Sequence, residues 1–141
     1  MNKFLPDTNI YIDHYKSGRF AEVLEPRKSD AVVYLSSVVI LELFSGAFTR
    51  AEITLLDNLA MVSKKGNKIV VPLWSDYVEA GRLLAKLQSQ KGYEIKKTIG
   101  LTNDVLIALS ARRIGATVIT QNKKDFEAIQ SVKDFKLKIV G

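Results

Sequence analysis

The sequence predicts an α/β domain built around a mostly parallel β-sheet. Short apolar segments rich in β-branched residues alternate with longer segments in which apolar residues recur at helical spacing, which is the pattern of strands joined by helices. With 141 residues, 47% of them hydrophobic and 26% charged, the chain has the size and composition of one globular domain spanning residues 1–141. No repeat, low-complexity tract or linker in the sequence indicates a second domain.

Five segments have strand character, because each is short, apolar and bounded by polar or turn-forming residues. They are Lys3–Pro6, Ala31–Ser36, Lys68–Val71, Ala116–Thr120 and Leu137–Val140. Between them, residues that can cap a helix precede the segments of helical period. The predicted helices begin after Asp7, after Ser36 or Ser37, at about Thr49, at Ser75, after Thr102 or Asn103, and at Asp125.

Cysteine and histidine usage restricts the chemistry. The absence of Cys and the presence of a single His exclude Cys-based zinc sites, thiol nucleophiles and a nuclease built on two histidines. Any metal must therefore be held mainly by oxygen. No apolar run approaches the ~20 residues that a membrane span requires, and no signal-peptide core follows the amino terminus. We therefore expect a cytoplasmic protein that does not associate with membranes.

The formal net charge of +6 is unevenly distributed. Residues 1–70 carry nine basic and eight acidic side chains, whereas residues 71–141 carry twelve and seven. A basic half indicates a polyanionic partner such as nucleic acid, or an acidic protein partner. A solvated lysine-rich surface is an equally good reading of charge alone.

Four acidic residues are candidates for a functional site. Asp7 follows the first predicted strand, Asp104 lies in the first turn of a largely apolar helix, and Asp125 follows the fourth strand. Each of these three could simply cap a helix or complement its dipole. Glu42 lies within the apolar run VVILELF and has no basic neighbour at helical spacing. A buried carboxylate there needs a donor, a cation or a metal, although an exposed Glu on a partly buried helix remains the alternative.

The predicted topology brings these carboxylates to one edge of the sheet. In an open parallel sheet, ligands collect where the carboxyl ends of strands meet the amino ends of helices. A cluster of carboxylates without cations repels itself, but it suits a hard divalent ion, since Mg²⁺ and Mn²⁺ prefer oxygen ligands. Such an ion polarises a phosphoryl oxygen and activates water. Hydrolysis of phosphodiesters is therefore the expected chemistry.

The sequence resembles the PIN domain family, and within it the VapC-like toxins of type II toxin–antitoxin pairs, in the stretches LPDTNIYID, SSVVILELFSGA and LTNDVLIALSARRIGATVITQNKKDF. The resemblance covers nearly the whole chain. It implies a single PIN-like domain with a parallel five-stranded sheet flanked by helices in an α/β/α sandwich. It also implies a metal-dependent endoribonuclease that uses Mg²⁺ or Mn²⁺.

The resemblance extends to individual positions of the acidic site. Asp7, Glu42 and Asp104 match the three acidic positions that hold the metal, with Asp7 and Asp104 as direct ligands and Glu42 as a base or a group that orients water. Some members carry Asp at the position of Asn122, so either Asn122, through its carbonyl oxygen, or Asp125 completes the catalytic set. The expected supporting residues are Thr8, Asn9, Thr120 and Asn122.

Basic residues of the second half are expected to contact RNA phosphates, which position a substrate without reading its sequence. The candidates are Arg112, Arg113, Lys123 and Lys124. The resemblance further implies a VapB-like antitoxin as partner and a homodimer. The hydrophobic helix surface within residues 38–61 is a plausible contact area for such partners.

Three other classes of protein share features with this sequence. A receiver-like phosphoacceptor domain needs an acidic pair at the first strand, which Thr8 and Asn9 do not supply. A haloacid-dehalogenase phosphatase needs Asp where Asn9 stands. A catalytically silent PIN-like module that binds RNA or a protein partner stays open, although the acidic set favours the enzyme.

Overall fold

The computed structural model describes residues 2–27, 31–94 and 99–141, apart from the side chain of Ile99. Its strands are β1 (Asn2–Pro6), β2 (Ala31–Val33), β3 (Leu35–Ser36), β4 (Ile69–Val70), β5 (Thr117–Thr120) and β6 (Leu137–Ile139). Its helices are α1 (Thr8–Ser17), α2 (Ala21–Leu24), α3 (Ser37–Ser45), α4 (Arg50–Lys65), α5 (Trp74–Lys91), α6 (Ile99–Ile114) and α7 (Lys123–Val132). The α/β prediction is confirmed.

All strand pairs are parallel, in the order β2–β1–β5–β6, with β3 paired to β4. The predicted strand Ala31–Ser36 is divided at Tyr34. The Tyr34 N–H donates to the Phe4 carbonyl at 2.8 Å, and the next N–H, that of Leu35, donates to the Lys68 carbonyl at 2.8 Å. The second strand of the chain therefore pairs first with β1 and then with β4, which explains why five predicted strands appear as six.

This division also accommodates Pro6 at the end of the central strand β1. Proline has no N–H and is normally confined to edges and strand ends. The next N–H, that of Asp7, donates to the Ile119 carbonyl of β5 at 2.8 Å. Because successive residues of a strand alternate sides, the Pro6 nitrogen faces β2, where the chain has already turned toward β4. No ladder hydrogen bond is lost there.

Apolar clusters cover both faces of the sheet. Leu5 and Val118 belong to the main core, whereas Ile119 lies in a second cluster, against which Phe4 packs. Since neighbouring residues of a strand point to opposite faces, the two clusters lie on opposite sides of the sheet. Helices α5, α6 and α7 pack against one another, and α3 packs against both α1 and α4. This is the layered arrangement that the sequence predicts.

Several helix starts are confirmed and others are wrong. The Ser36 hydroxyl accepts from the Val38 N–H at 3.1 Å, and Thr49 caps α4. Helix α5 begins at Trp74 rather than being capped by Ser75, because the Asp76 carboxylate accepts the Leu73 N–H at 2.8 Å.

The start of α6 and the cap of α7 also differ from the prediction. Helix α6 begins at Ile99, so Asp104 lies beyond the first turn and the predicted dipole role does not apply. Asn122, not Asp125, caps α7, and Asp125 occupies its first turn. Helix α2 was not predicted. Within the ranges that the structure describes, no helix is both long and apolar enough to cross a membrane.

Candidate active site

The connectivity of the sheet creates a crevice at the carboxyl ends of β1 and β5. After β1 the chain builds β2, β3 and β4 on one side, and it then returns to add β5 and β6 on the other. Helices that leave neighbouring strands in opposite directions open a space between them, where ligands of α/β proteins commonly bind. Asp7 follows β1 and Thr120 ends β5, so both line this crevice.

Asp7 is buried and held by three donors. Its Oδ1 accepts the Thr8 N–H at 2.8 Å, which begins α1, and its Oδ2 accepts the Thr120 hydroxyl at 2.7 Å and the Asn9 amide at 3.2 Å. Burial raises the pKa of Asp7 above 3.8, and nearby Glu42 adds to this, while the hydrogen bonds oppose it. The helix-capping alternative is therefore correct for Asp7, but the cap accounts for one of its three hydrogen bonds.

Thr120 connects three parts of the site through one fully buried hydroxyl. While donating to Asp7, it accepts the Asn9 amide at 3.3 Å and the Asn122 N–H at 3.0 Å. The Asn9 carbonyl oxygen in turn accepts the Gln121 N–H at 3.3 Å. The ends of β1 and β5 are thus fastened together by side chains as well as by the sheet.

Glu42 reaches the site from α3. The Thr8 hydroxyl donates to its Oε1 at 2.7 Å, which links the start of α1 to the middle of α3. Glu42 is half-buried, so it is neither the fully exposed Glu of the alternative reading nor a fully enclosed one. The two threonines, Thr8 and Thr120, each orient a carboxylate.

Among the acidic residues that the structure describes, Asp104 has the largest rise in pKa. Its side chain is 7% exposed on the apolar helix α6. Burial, followed by the charges of Asp7, Glu42 and Asp125, raises the pKa of Asp104 from 3.8 to about 8. The four predicted carboxylates are therefore close enough to act on one another. Without a cation, the site keeps a proton on Asp104 at neutral pH.

Asn122 lies between Asp104 and Asp125. Its amide nitrogen donates to Asp104 Oδ2 at 3.2 Å and to Asp125 Oδ2 at 3.1 Å, while its carbonyl oxygen accepts the Asp125 N–H at 3.4 Å. In this orientation the carbonyl oxygen caps α7 rather than facing the carboxylates. The other Asp125 oxygen, Oδ1, accepts the hydroxyl of Tyr93 at 3.1 Å.

The donor set fits a hard divalent cation. Within residues 2–27, 31–94 and 99–141, no Lys or Arg forms an ion pair with any of the four carboxylates. No three acidic or histidine side chains among the described residues enclose an ion by themselves. Two direct carboxylate ligands would leave room for the several waters that Mg²⁺ keeps. Asp7 and Asp104, the two of these four carboxylates that are buried, are the best candidates for direct contact.

The four basic candidates lie in two places. Lys123 and Lys124 are exposed at the start of α7, directly after Asn122. Arg112 and Arg113 lie in the last turn of α6, and eight residues of helix separate Arg112 from Asp104 by ~12 Å. Two acceptors engage Arg113, Asp76 at 3.2 Å and the Val71 carbonyl at 2.9 Å, and Arg112 donates to the Asp134 carbonyl at 3.0 Å. The structure brings the lysines, but not the arginines, to the acidic residues.

Tyr93 is the site residue that the sequence did not reveal. It follows Gly92, which ends α5 in the left-handed conformation at φ 71°, and the Tyr93 N–H donates to the Leu87 carbonyl at 3.3 Å. Gly92 predicts the turn, but no pattern in the sequence connects this tyrosine to an aspartate 32 positions later.

The fold occurs in chains of known toxin–antitoxin complexes. A chain in the crystal structure of VapBC2 from Rickettsia felis bound to a promoter DNA fragment matches with a TM-score of 0.72, 23% identity and 99% coverage of both chains. VapBC-1 from nontypeable Haemophilus influenzae matches with a TM-score of 0.68, 23% identity and 97% coverage of both. DNA-bound VapBC from Salmonella typhimurium gives 0.64 and 26%, covering 99% of this chain and 98% of the other.

No curated protein matches the sequence. The PIN domain family, however, matches residues 4–131, which include the end of β1, all of β5 and all four carboxylates of the site. This match confirms the resemblance of the sequence to the PIN domain family. The chain belongs to the PIN domain family.

Proposed function

We propose that this protein is a metal-dependent endoribonuclease and the toxin of a VapBC-type toxin–antitoxin pair. The observation that carries the proposal is the crevice in which Asp7, Glu42, Asp104 and Asp125 act on one another without a cationic partner among the described residues. Mg²⁺ or Mn²⁺ bound there would polarise a phosphoryl oxygen of RNA and activate a water molecule.

The chain's own residues prepare this chemistry. Asp7 and Asp104 would hold the ion, with Asp7 fixed by Thr8, Thr120 and Asn9. Glu42, held by the Thr8 hydroxyl, would orient water or accept its proton. Asn122 donates to both Asp104 and Asp125, and the charge of Asp125 also acts on Asp104.

The exposed residues Lys123 and Lys124 are the proposed contacts for RNA phosphates, because they follow Asn122 directly. A phosphate contact is weakened by salt, since binding releases counterions. Replacing both lysines with alanine should weaken RNA binding and flatten its dependence on salt. Contact by Arg112 or Arg113 stays a prediction without this positional support.

RNA cleavage tests the proposed function. Chain free of any partner would be incubated with a mixed RNA substrate in Mg²⁺ or Mn²⁺, with a chelator as control, beside Asp104→Asn and the matched variant Asp57→Asn on the exposed face of α4. Metal-dependent cleavage by the wild type and Asp57→Asn, but not by Asp104→Asn, is the expected result. Intact RNA at high protein concentration with either metal would refute the nuclease.

A catalytically silent module that binds RNA or a protein is the second candidate. The observation in its favour is that, within the described part of the chain, no three ligands enclose an ion by themselves. Retained metal and RNA binding without cleavage would support it. Turnover that disappears with a single carboxylate would exclude it.

We further propose that a VapB-like antitoxin occupies the groove between α1, α3 and α4. The groove has a volume of about 470 Å³ and is lined by apolar side chains that include Ile12, Leu43 and Leu55, with Glu42 at its wall. A segment bound there would lie beside the acidic crevice and could block it. Leu55→Glu should abolish inhibition by a co-expressed antitoxin while leaving cleavage intact; unchanged inhibition would place the antitoxin elsewhere.

A homodimer, one domain over residues 1–141 and a cytoplasmic location remain parts of the proposal that rest on the sequence. Light scattering of the purified chain tests the first. A mass of 15.7 kDa would show a monomer, and twice that mass a dimer. Limited proteolysis tests the second, since one domain should resist as a unit.

A further inference from the structure

We propose that Tyr93 is a positioning residue of the acidic site, which acts through Asp125 and Asn122 to hold Asp104 in the orientation that binds the metal. This inference rests on the proposed function and deepens it. It concerns a tyrosine of the loop after α5, a residue that belongs to none of the elements carrying the acidic residues.

The chain of contacts is continuous. The Tyr93 hydroxyl donates to Asp125 Oδ1 at 3.1 Å, Asp125 Oδ2 accepts from the Asn122 amide at 3.1 Å, and the same amide donates to Asp104 Oδ2 at 3.2 Å. Both oxygens of Asp125 are therefore engaged. The carboxylate cannot rotate without breaking one of these bonds.

Tyr93 is itself fixed in place. Its ring is half-buried and packs against the main core, and its N–H donates to the Leu87 carbonyl at 3.3 Å. A hydroxyl on such an anchored ring can hold a partner in one orientation. The hydroxyl is a neutral donor, so it can steady Asp125 without adding a charge to the site.

The position of Asn122 explains why Asp125 needs to be held. Asn122 uses its carbonyl oxygen as the cap of α7, which leaves its amide nitrogen for the two carboxylates. If Asp125 turned away, this amide would lose one of its two acceptors and Asp104 would lose its fixed neighbour. Partners of a metal ligand typically change metal affinity when they are removed, because they set the direction of the ligand's lone pairs.

The geometry also separates the roles of Asn122 and Asp125 from that of a ligand. Their hydrogen bonds point to each other, to Asp104 and to Tyr93. We therefore expect Asp125 to act on the metal only through Asn122 and Asp104. This gives Tyr93 and Asp125 effects that should not add.

The test measures Mn²⁺ affinity by calorimetry and RNA cleavage in parallel for the wild-type chain, Tyr93→Phe, Asp125→Asn and the double variant. Tyr93→Phe keeps the ring and removes only the hydroxyl. Tyr77→Phe is the matched control, since Tyr77 lies 54% exposed on α5. Circular dichroism and thermal unfolding would show that each variant is folded.

We expect Tyr93→Phe to weaken Mn²⁺ binding ~3- to 10-fold, the effect of losing one hydrogen bond that orients a charged group. The turnover rate should fall while the KM for RNA stays constant, because the hydroxyl does not touch the substrate. Adding Tyr93→Phe to Asp125→Asn should change Mn²⁺ affinity by less than twofold, since coupled residues are not additive.

Unchanged Mn²⁺ affinity in Tyr93→Phe, or effects that add in the double variant, would overturn the inference. Tighter Mn²⁺ binding by Tyr93→Phe would overturn it as well, because it would mean that the hydroxyl keeps a direct ligand away from the ion. The wild-type assay separates this outcome from the fate of the proposed function. A wild type that binds Mn²⁺ without cutting RNA refutes the nuclease alone, and one that binds no Mn²⁺ refutes both.

Discussion

Replacing Asp104 with Asn should stabilise the metal-free protein, and the gain should grow with pH. The folded chain holds the Asp104 proton up to about pH 8, whereas an unfolded chain loses it near 3.8. Between these values the folded state binds one proton more than the unfolded state. The free energy of unfolding therefore falls as pH rises from about 4 to about 8, by up to ~1.4 kcal/mol per pH unit.

The size of the effect follows from the same two pKa values. A pKa raised from 3.8 to about 8 corresponds to several kcal/mol in the metal-free state, on the order of 6 kcal/mol as an upper bound at ~1.36 kcal/mol for each tenfold change in proton affinity. Asp104 is 7% exposed, so solvent screens little of this cost. Asn has the shape of the protonated acid and needs no proton. We expect Asp104→Asn to match the wild type near pH 4 and to exceed it by ~2–5 kcal/mol at pH 8.

Urea denaturation with a chelator present, at pH 4.5, 6.5 and 8, measures this difference. Asp57→Asn on α4 is the control, since Asp57 is exposed and the same charge is removed. A smaller decline should persist in Asp104→Asn, because burial also raises the pKa of Asp7. Equal unfolding free energies for wild type and Asp104→Asn at pH 8 would refute the electrostatic account of the site.

Three further predictions follow from contacts of the site and core. Mn²⁺ affinity should rise up to ~10-fold per pH unit between pH 6 and 8 and then level off, because binding must displace the Asp104 proton. Calorimetry in buffers of different ionisation enthalpy would detect the released proton. An Mn²⁺ affinity that does not change with pH would contradict the raised pKa of Asp104. Thr120→Val should lower the free energy of unfolding by ~1–3 kcal/mol, because it removes the buried hydroxyl that donates to Asp7, while Thr120→Ser should lower it much less. If chemical denaturation gave equal losses for the two variants, the effect would be due to packing. Phe126→Ala should lower the free energy of unfolding by ~3–5 kcal/mol, because this fully buried ring packs edge-on against Phe135. A loss below ~1 kcal/mol in the same assay would mean that neighbouring side chains fill the cavity.

Local chemistry made much of this structure predictable from the sequence. Ser36 and Thr49 precede segments of helical period and cap the helices that these segments form. Asp7 and Thr120 could be placed together because parallel strands end at one edge of the sheet. These inferences depend on residues close in sequence or on a general property of the fold.

Features that depend on contacts between distant parts of the chain could not be predicted from the sequence. Asp125 and Asn122 are both residue types that cap helices, so the sequence alone does not show which of them caps α7. In the structure, Tyr93 donates to Asp125 and the Asn122 amide donates to Asp104. The sequence suggests that Arg113 is available for RNA phosphates, but in the structure Arg113 forms an ion pair with Asp76, which lies 37 positions earlier. A hydrogen bond across such a separation leaves no periodic trace in the sequence.

The crevice between β1 and β5 exists because of the order in which the strands are connected, and not because of the acidic residues that line it. Neutral side chains could therefore replace those carboxylates while the sheet, the helices and the groove beside them persisted. In the metal-free chain such a change would even relieve repulsion at Asp104. Loss of the charge at Asp104 should therefore favour folding of the metal-free chain, as expected of a residue kept for a function that opposes stability. In a chain with this topology, the connectivity of the sheet determines the position of the crevice. Unpaired carboxylates retained there indicate that the crevice serves as a functional site.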